Sequence, residues 1–199
     1  MVLGPYNSFF YCSNFCFQLD AIRYFYFKST GFLTMQNIML RPPKDTDGSE
    51  VSELINRCPP LDVNSRYCNL LQCSHFAGTS VIAKADNKTV GFISGYLLPQ
   101  ANNTLFVWQV AVDSNARGTG LAQRMIHNLI ERDSAANVSY IETTITDSNQ
   151  ASWALFERIA EHYNAPLTKS VMFDSTAHFA GAHDSEHLVR IGPLTTTNC

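Results

Sequence analysis

Asn115-Ala116-Arg117-Gly118-Thr119-Gly120-Leu121-Ala122 is the stretch that decides the fold. Residues 104–112 (Thr-Leu-Phe-Val-Trp-Gln-Val-Ala-Val) precede it, and their apolar, β-branched composition predicts a strand. After it Leu121, Met125, Leu129 and Ile130 recur at helical spacing and predict a helix over 121–132. A glycine-rich turn therefore joins a strand to the first turn of a helix. The first amides of a helix have no internal partners and point outward. Glycines let a ligand approach the backbone, and the helix dipole favours an anion there. The stretch is a place to hold a diphosphate.

Two common diphosphate loops are excluded. A dinucleotide fingerprint needs a third glycine three residues beyond the second, where this chain has Gln123. A Walker A loop needs Gly-Lys followed by Ser or Thr, and no such tripeptide occurs.

Working outward, residues 139–145 read as a further strand and residues 149–162 as a helix, with Trp153, Phe156, Ile159 and Ala160 on one face. Two last strands are expected at 170–173 and 187–191, with a polar loop between them. Upstream, residues 79–84 and 89–98 form a hairpin about the turn at 85–88. Residues 38–41 are a short strand stopped by Pro42-Pro43. Residues 45–57 read as a helix with Val51, Leu54 and Ile55 inward and Asp47 or Ser49 as its cap. The prolines of residues 58–67 break that helix, and a second short one follows with Tyr67, Leu70 and Leu71 inward. The order is strand, two helices, three antiparallel strands, helix, strand, helix, two strands. It predicts an α/β (α+β) fold with a mixed central sheet and helices on both faces. The crossover through the glycine loop should make its two strands parallel neighbours.

The glycine stretch resembles motif A of the GNAT acetyltransferases, Arg/Gln-x-x-Gly-x-Gly/Ala, and the element order resembles the GNAT fold. Asn149-x-x-Ser152-x-x-Leu155-Phe156 is similar to that family's Asn-x-x-Ala-x-x-Leu-Tyr. A narrower resemblance, to the L-2,4-diaminobutyrate acetyltransferases of ectoine biosynthesis, spans about residues 38–194. It rests on Arg41-Pro42-Pro43, Pro59-Pro60-Leu61-Asp62-Val63-Asn64-Ser65-Arg66-Tyr67, Ala111-Val112-Asp113-Ser114-Asn115-Ala116-Arg117-Gly118, Glu142-Thr143-Thr144 and Glu186-His187-Leu188-Val189-Arg190-Ile191-Gly192-Pro193.

The resemblance implies transfer of acetyl from acetyl-CoA to the 4-amino group of L-2,4-diaminobutyrate, without a metal. It implies that Val110, Val112, Arg117, Gly118, Thr119, Gly120, Leu121, Ala122 and Asn149 hold acetyl-CoA. It also implies that the amides of Val110 to Val112 receive the thioester oxygen. The tyrosine that commonly protonates the leaving thiolate is replaced by Phe156, which has no proton to give, so that role is not carried over.

The acceptor chemistry is read from the residues. The amine is protonated near neutral pH and must lose a proton before attack. Glu142 is the candidate base or relay end, the alternative being a solvated strand face. Trp108 lies on the other flanking strand, with a core position as its alternative. A substrate with two ammonium groups and one carboxylate needs carboxylates and donors together. Asp62, Asn64, Ser65, Arg66 and Tyr67 offer both, together with Trp108 and Glu142. The alternative for Asp62 is a helix cap, and for Arg66 a surface cation.

His183-Asp184-Ser185-Glu186-His187 has the letters of a zinc-protease motif, but that motif needs a helix and this stretch runs into a strand. A loop that closes over the substrate is the expected use. Net charge is −3 with no basic run, which excludes nucleic acid as an expected partner. No membrane segment or paired Cys-x-x-Cys pattern is read, so the cysteines are expected as free thiols in a cytoplasm. A homodimer is left open. Residues 1–36, crowded with Phe9-Phe10-Tyr11 and Tyr24-Phe25-Tyr26-Phe27, keep no regular period, and they read as an extension outside an acetyltransferase domain at 37–199. Two other functions fit: a GNAT N-acetyltransferase of another amine or peptide, and a non-catalytic acyl-CoA-binding protein.

Overall fold

The structure is a computed structural model and describes residues 38–195. The boundary expected between residues 36 and 37 lies outside them. Seven strands form one sheet: β1 (Ile38–Arg41), β2 (Val81–Ala85), β3 (Lys88–Leu98), β4 (Ala101–Val112), β5 (Tyr140–Thr146), β6 (Leu167–Phe173) and β7 (Glu186–Ile191). Their order is β1-β2-β3-β4-β5-β7-β6. All neighbours are antiparallel except β4 and β5, the parallel pair that the crossover requires. The helices are α1 (Gly48–Asn56), α2 (Arg66–Ser74), α3 (Leu121–Ile130), α4 (Gln150–His162) and α5 (Ser175–Phe179).

Local chemistry explains the joins. Asp86 and Asn87, at φ 48° and 65°, make the left-handed two-residue turn that matches the twist of the β2–β3 hairpin. On one face of the sheet Val51, Leu54 and Ile55 of α1 and Cys73 of α2 pack on Ile82, Phe92 and Ala111. On the other lies α3. A Cβ on Gly91 would sit 3.0 Å from Met125, so the missing side chain lets that helix approach β3. The imidazole of His127 on α3 hydrogen-bonds the Tyr163 hydroxyl just beyond α4 at 2.9 Å, tying together the two helices that flank the glycine loop.

Four sequence expectations change. The helix read over 45–57 begins with a 3₁₀ turn at Asp45–Asp47, and α1 starts only at Gly48. Asp47 stands at its N-cap position, but its side chain makes no cap bond to the helix. Its carboxylate instead takes Arg41 at 2.7 and 2.8 Å and the Lys44 amide at 2.7 Å. In α2 the inward residues are Asn69, Gln72 and Cys73, while Tyr67 is 70% exposed and Leu70 36% exposed. Asn69 Nδ2 donates to Gln72 Oε1 at 3.0 Å, which satisfies one end of each buried carboxamide and leaves Asn69 Oδ1 and Gln72 Nε2 without a protein partner, and Leu70 lies against Gly48 of α1. The loop expected after β6 contains α5, started by Asp174, whose carboxylate accepts from the Thr176 and Ala177 amides at 2.9 Å.

Candidate active site

β4 and β5 pair at only three positions, Thr104 with Tyr140, Leu105 with Ile141 and Phe106 with Glu142. Beyond Phe106 β4 keeps β3 as its partner and β5 leaves. The Asp113 amide donates to Val90 of β3 at 2.9 Å. Backbone groups alternate between the two edges of a strand. Val112 and Val110 therefore turn their amides and carbonyls away from β3, into the splay. The Val112 carbonyl is satisfied there by non-sheet donors, the Cys58 thiol at 3.3 Å and Arg117 Nε at 3.0 Å.

The splay opens into a cavity of about 400 Å³. Val110 and Val112 line one wall, and Arg117, Gly118, Gly120, Leu121 and Ala122 line another. Gly118 and Gly120 have φ of 73° and 76°, and a Cβ on either would meet nothing within 4 Å. Gly120 is the N-cap of α3 and gives it no side-chain partner, so the first amides of the helix face the cavity uncapped. Thr119 is not in the lining, and its hydroxyl donates to the Ala116 carbonyl at 2.7 Å. Asn149 reaches the cavity, but its side-chain oxygen caps α4 at the Ser152 amide, 3.1 Å away.

Sequence reasoning missed part of this wall. Leu155 and Arg158 follow Asn149 and Ser152 at three-residue steps along α4, a stripe that helical spacing could have found. Gln123 also lines the cavity, as do residues 58–61, which belong to the proline-stiffened connection between two helices where a fold can place ligand contacts. Arg117 and Arg158 are cations suited to a diphosphate.

The acceptor side is built on a residue not singled out from the sequence. Gln109 of β4 is buried, and its Nε2 donates to the Asp62 carbonyl at 3.0 Å while its Oε1 accepts from Asn64 at 3.2 Å. The loop with Asp62 and Asn64 is thereby fixed to the splayed strand. The Asp62 side chain is exposed. It is not the cap of α2. Ser65 is, through its hydroxyl to the Cys68 amide at 3.1 Å, and that oxygen is committed to the helix. Arg66 opens α2 at the surface, beside the exposed Tyr67. Trp108 is the extra residue of a β-bulge, where Ser94 faces Gln109 and Gly95 faces Val107. It is 45% exposed, so the core alternative is wrong.

Glu142 is not a solvated strand face either. It is 7% exposed and ion-paired with Arg190 across β5 and β7. Arg190 in turn stacks 4.0 Å from the Tyr140 ring. His183 and His187 are held apart by separate partners, the Asp184 carbonyl at 2.8 Å and the Asp147 carboxylate at 3.1 Å. Among the described residues no group of three or more His, Cys, Asp or Glu is placed to hold a metal.

The acetyltransferase (GNAT) family pattern matches residues 49–160. An L-2,4-diaminobutyric acid acetyltransferase of Methylotuvimicrobium alcaliphilum is 53% identical over 157 residues, 79% of this chain and 91% of that protein. The chain belongs to this family of GNAT acetyltransferases. Another relative, the L-2,4-diaminobutyric acid acetyltransferase of Halomonas elongata, is 47% identical over 80% of this chain and 83% of its own length. The diaminobutyrate acetyltransferase of Paenibacillus lautus, solved with L-2,4-diaminobutyric acid and coenzyme A, superposes with a TM-score of 0.76 at 40% identity, covering 78% of this chain and 95% of that one.

As an acetyltransferase the chain departs from the GNAT pattern at Phe156. That ring is 2% exposed in the core and is not in the cavity lining. The cavity otherwise fits acetyl-CoA, with uncapped helix amides, open space above two left-handed glycines and two arginines. No helix among the described residues is long and apolar enough to cross a membrane.

Proposed function

We propose that this acetyltransferase moves the acetyl group of acetyl-CoA to the 4-amino group of L-2,4-diaminobutyrate, giving N4-acetyl-L-2,4-diaminobutyrate for ectoine biosynthesis. The observation that carries the reading is the splayed end of β4. It turns the Val110 and Val112 amides into a cavity that ends on the uncapped α3 helix, and its Gln109 side chain holds the Asp62 loop beside them. The names of the relatives support the choice of substrate.

In this reading the α3 amides, Gly118, Gly120, Arg117 and Arg158 hold the diphosphate of acetyl-CoA. Its thioester oxygen lies against the Val110 and Val112 amides, which stabilise the negative charge that develops there. Asp62 takes the ammonium that is not acetylated. Arg66, Asn64 and Tyr67, which follow Asp62 within five residues of the same stretch, are the donors for the carboxylate. Trp108, exposed at the bulge, covers the methylene chain. Glu142 receives the proton that the attacking ammonium must lose, through water, with Arg190 orienting it. Free Cys58, Cys68 and Cys73 fit a reducing cytoplasm.

Release of free thiol from acetyl-CoA with diaminobutyrate, and NMR of the product, test the reading. We expect turnover and a 4-N-acetyl product. Equal turnover of diaminobutyrate, ornithine and lysine would assign the chain to another amine. No turnover with any amine, but retained acetyl-CoA binding, would make it an acyl-CoA-binding protein.

A further inference from the structure

We infer that Gln109 is the positioning residue that sets which amino group is acetylated and how long the substrate may be. The inference rests on the diaminobutyrate reading above. Gln109 has both ends of its carboxamide engaged, one by the Asp62 carbonyl at 3.0 Å and the other by the Asn64 amide at 3.2 Å, and it is 7% exposed. Its partners lie in the loop between α1 and α2, 45 and 47 residues away in sequence. Its own peptide unit carries the Val110 amide, which faces the cavity.

A single side chain thus spans the two halves of the site. At one end is the backbone of Asp62, the carboxylate proposed for the retained ammonium. At the other is the amide proposed for the thioester oxygen. With the Asp62 backbone fixed, the separation between ammonium site and reacting carbon is fixed as well. That separation is the quantity by which diaminobutyrate differs from ornithine, which has one more methylene, and by which its 4-amino group differs from its 2-amino group. Other ties on this loop do not do the same work. Ser65 is committed to the cap of α2, and the Cys58 thiol holds the Val112 carbonyl rather than the residues around Asp62. A buried glutamine with both ends used is also costly to replace, because the Asp62 carbonyl and the Asn64 amide would each lose a partner.

Gln109→Met keeps the length and removes both hydrogen bonds. Gln109→Glu keeps an acceptor for Asn64 and removes the donor to Asp62. Each variant is assayed in the full chain for kcat/KM with diaminobutyrate and with ornithine, for KM of acetyl-CoA, and for 2-N against 4-N product by NMR. One methylene in a shaped pocket is worth about ten- to two-hundredfold. We expect the preference for diaminobutyrate over ornithine to fall about tenfold or more in Gln109→Met and at least as far in Gln109→Glu, because both lose the donor to the Asp62 carbonyl. We also expect 2-N-acetyl product to appear, with KM for acetyl-CoA within about twofold of the parent. Equal losses toward both diamines with a single 4-N product, alongside a lower Tm, would leave Gln109 as a structural tie and overturn the inference. If Gln109→Met does not fold, the ratio in Gln109→Glu decides in the same way. Failure of the parent enzyme to acetylate diaminobutyrate would instead remove the functional reading, so the two failures are told apart.

Discussion

Glu142 and Arg190 sit opposite each other on β5 and β7 and form an ion pair, with the Glu142 side chain 9% exposed and that of Arg190 37% exposed. Phe106 is the β4 partner of Glu142 in the last pair before the splay. The carboxylate therefore stands at the crotch where the strands part, held from one side. We propose that Glu142 collects the proton there by a short water relay, and the alternative is a purely structural cross-strand tie. Glu142→Gln separates the two. We expect kcat to fall by about 10²- to 10⁴-fold, as for a lost general base, with KM for acetyl-CoA unchanged. Stability should fall by about 1–3 kcal/mol from the lost charge-assisted bond. Normal kcat in a destabilised variant would make the pair structural and send the search for the base elsewhere.

Gly120 is left-handed and caps α3 where the diphosphate is proposed to lie. A Cβ there meets no protein atom, so a side chain would occupy the ligand's space, and the backbone would resist the conformation as well. Gly120→Val should raise KM for acetyl-CoA by the loss of one or two charge-assisted hydrogen bonds, about 2–5 kcal/mol. KM for the amine should move little. Equal effects on both substrates in a variant that melts normally would show that the loop does other work.

Asp47 joins β1 to α1. The Arg41 guanidinium, and then the Lys44 amide, hold its carboxyl down at about 2, below the ordinary 3.8. A depressed carboxyl stabilises the fold above the unfolded value. That stability is lost as pH falls from about 4 through 2, and amounts to about 2 kcal/mol. Asp47→Asn should cost about 2–3 kcal/mol at neutral pH, because Arg41 and the 10%-exposed Lys84 lose a charge partner. Urea melts at pH 2.5, 4 and 7 check both points: the gap between variant and parent should narrow steadily toward the lowest pH, to about a third of its neutral value at pH 2.5. A constant gap across the range would mean that shape, not charge, holds the junction.

The cofactor half of the site was legible because its requirements are local. Gly118 and Gly120 between a β-branched run and a helical period can do few other things, and the crossover rule then fixes β4 beside β5. The acceptor half depends on partners far apart in sequence. Nothing in the letters around Gln109 says that its two ends meet Asp62 and Asn64, and nothing around Glu142 announces Arg190. The inward face of α2 was misread for a related reason. Apolar spacing points to Tyr67, Leu70 and Leu71, but the face turned inward carries Asn69, Gln72 and Cys73, with one hydrogen bond joining Asn69 to Gln72. Trp108 was weighed as core by residue type, whereas the bulge, a feature of pairing with β3, turns it out.

We propose that residues 1–36 are dispensable for activity, because their composition breaks from the rest of the chain. A form beginning at Met35 should keep thiol release close to that of the full chain. A form beginning at Met39 also removes Ile38, which is 9% exposed and pairs with Ala85, so it should melt lower. Loss of most turnover in a folded Met35 form would show that the segment contributes to the reaction.

Asp62 is proposed to hold the ammonium that stays free, and so to aim the 4-amino group at the thioester. Its backbone carbonyl is fixed by Gln109, its side chain is exposed, and the cap of α2 is Ser65. Asp62→Asn therefore disturbs neither the helix nor the loop anchor. It keeps the shape and removes only the charge. Stability should stay within about 0.5 kcal/mol of the parent, as for an ordinary surface change. Catalytic efficiency toward diaminobutyrate should fall by about 2–4 kcal/mol, or about thirty- to a thousandfold, because a charge contact that is desolvated by the substrate is lost. KM for acetyl-CoA should not move, since Asp62 is not among the residues that line the cavity. The free ammonium would then have no fixed partner, and either amine could reach the thioester, so some 2-N-acetyl product should be visible by NMR. A variant with parental efficiency and a single 4-N-acetyl product would remove Asp62 from the site. The retained ammonium would then have to be held by another carboxylate, with Glu142 the first to test.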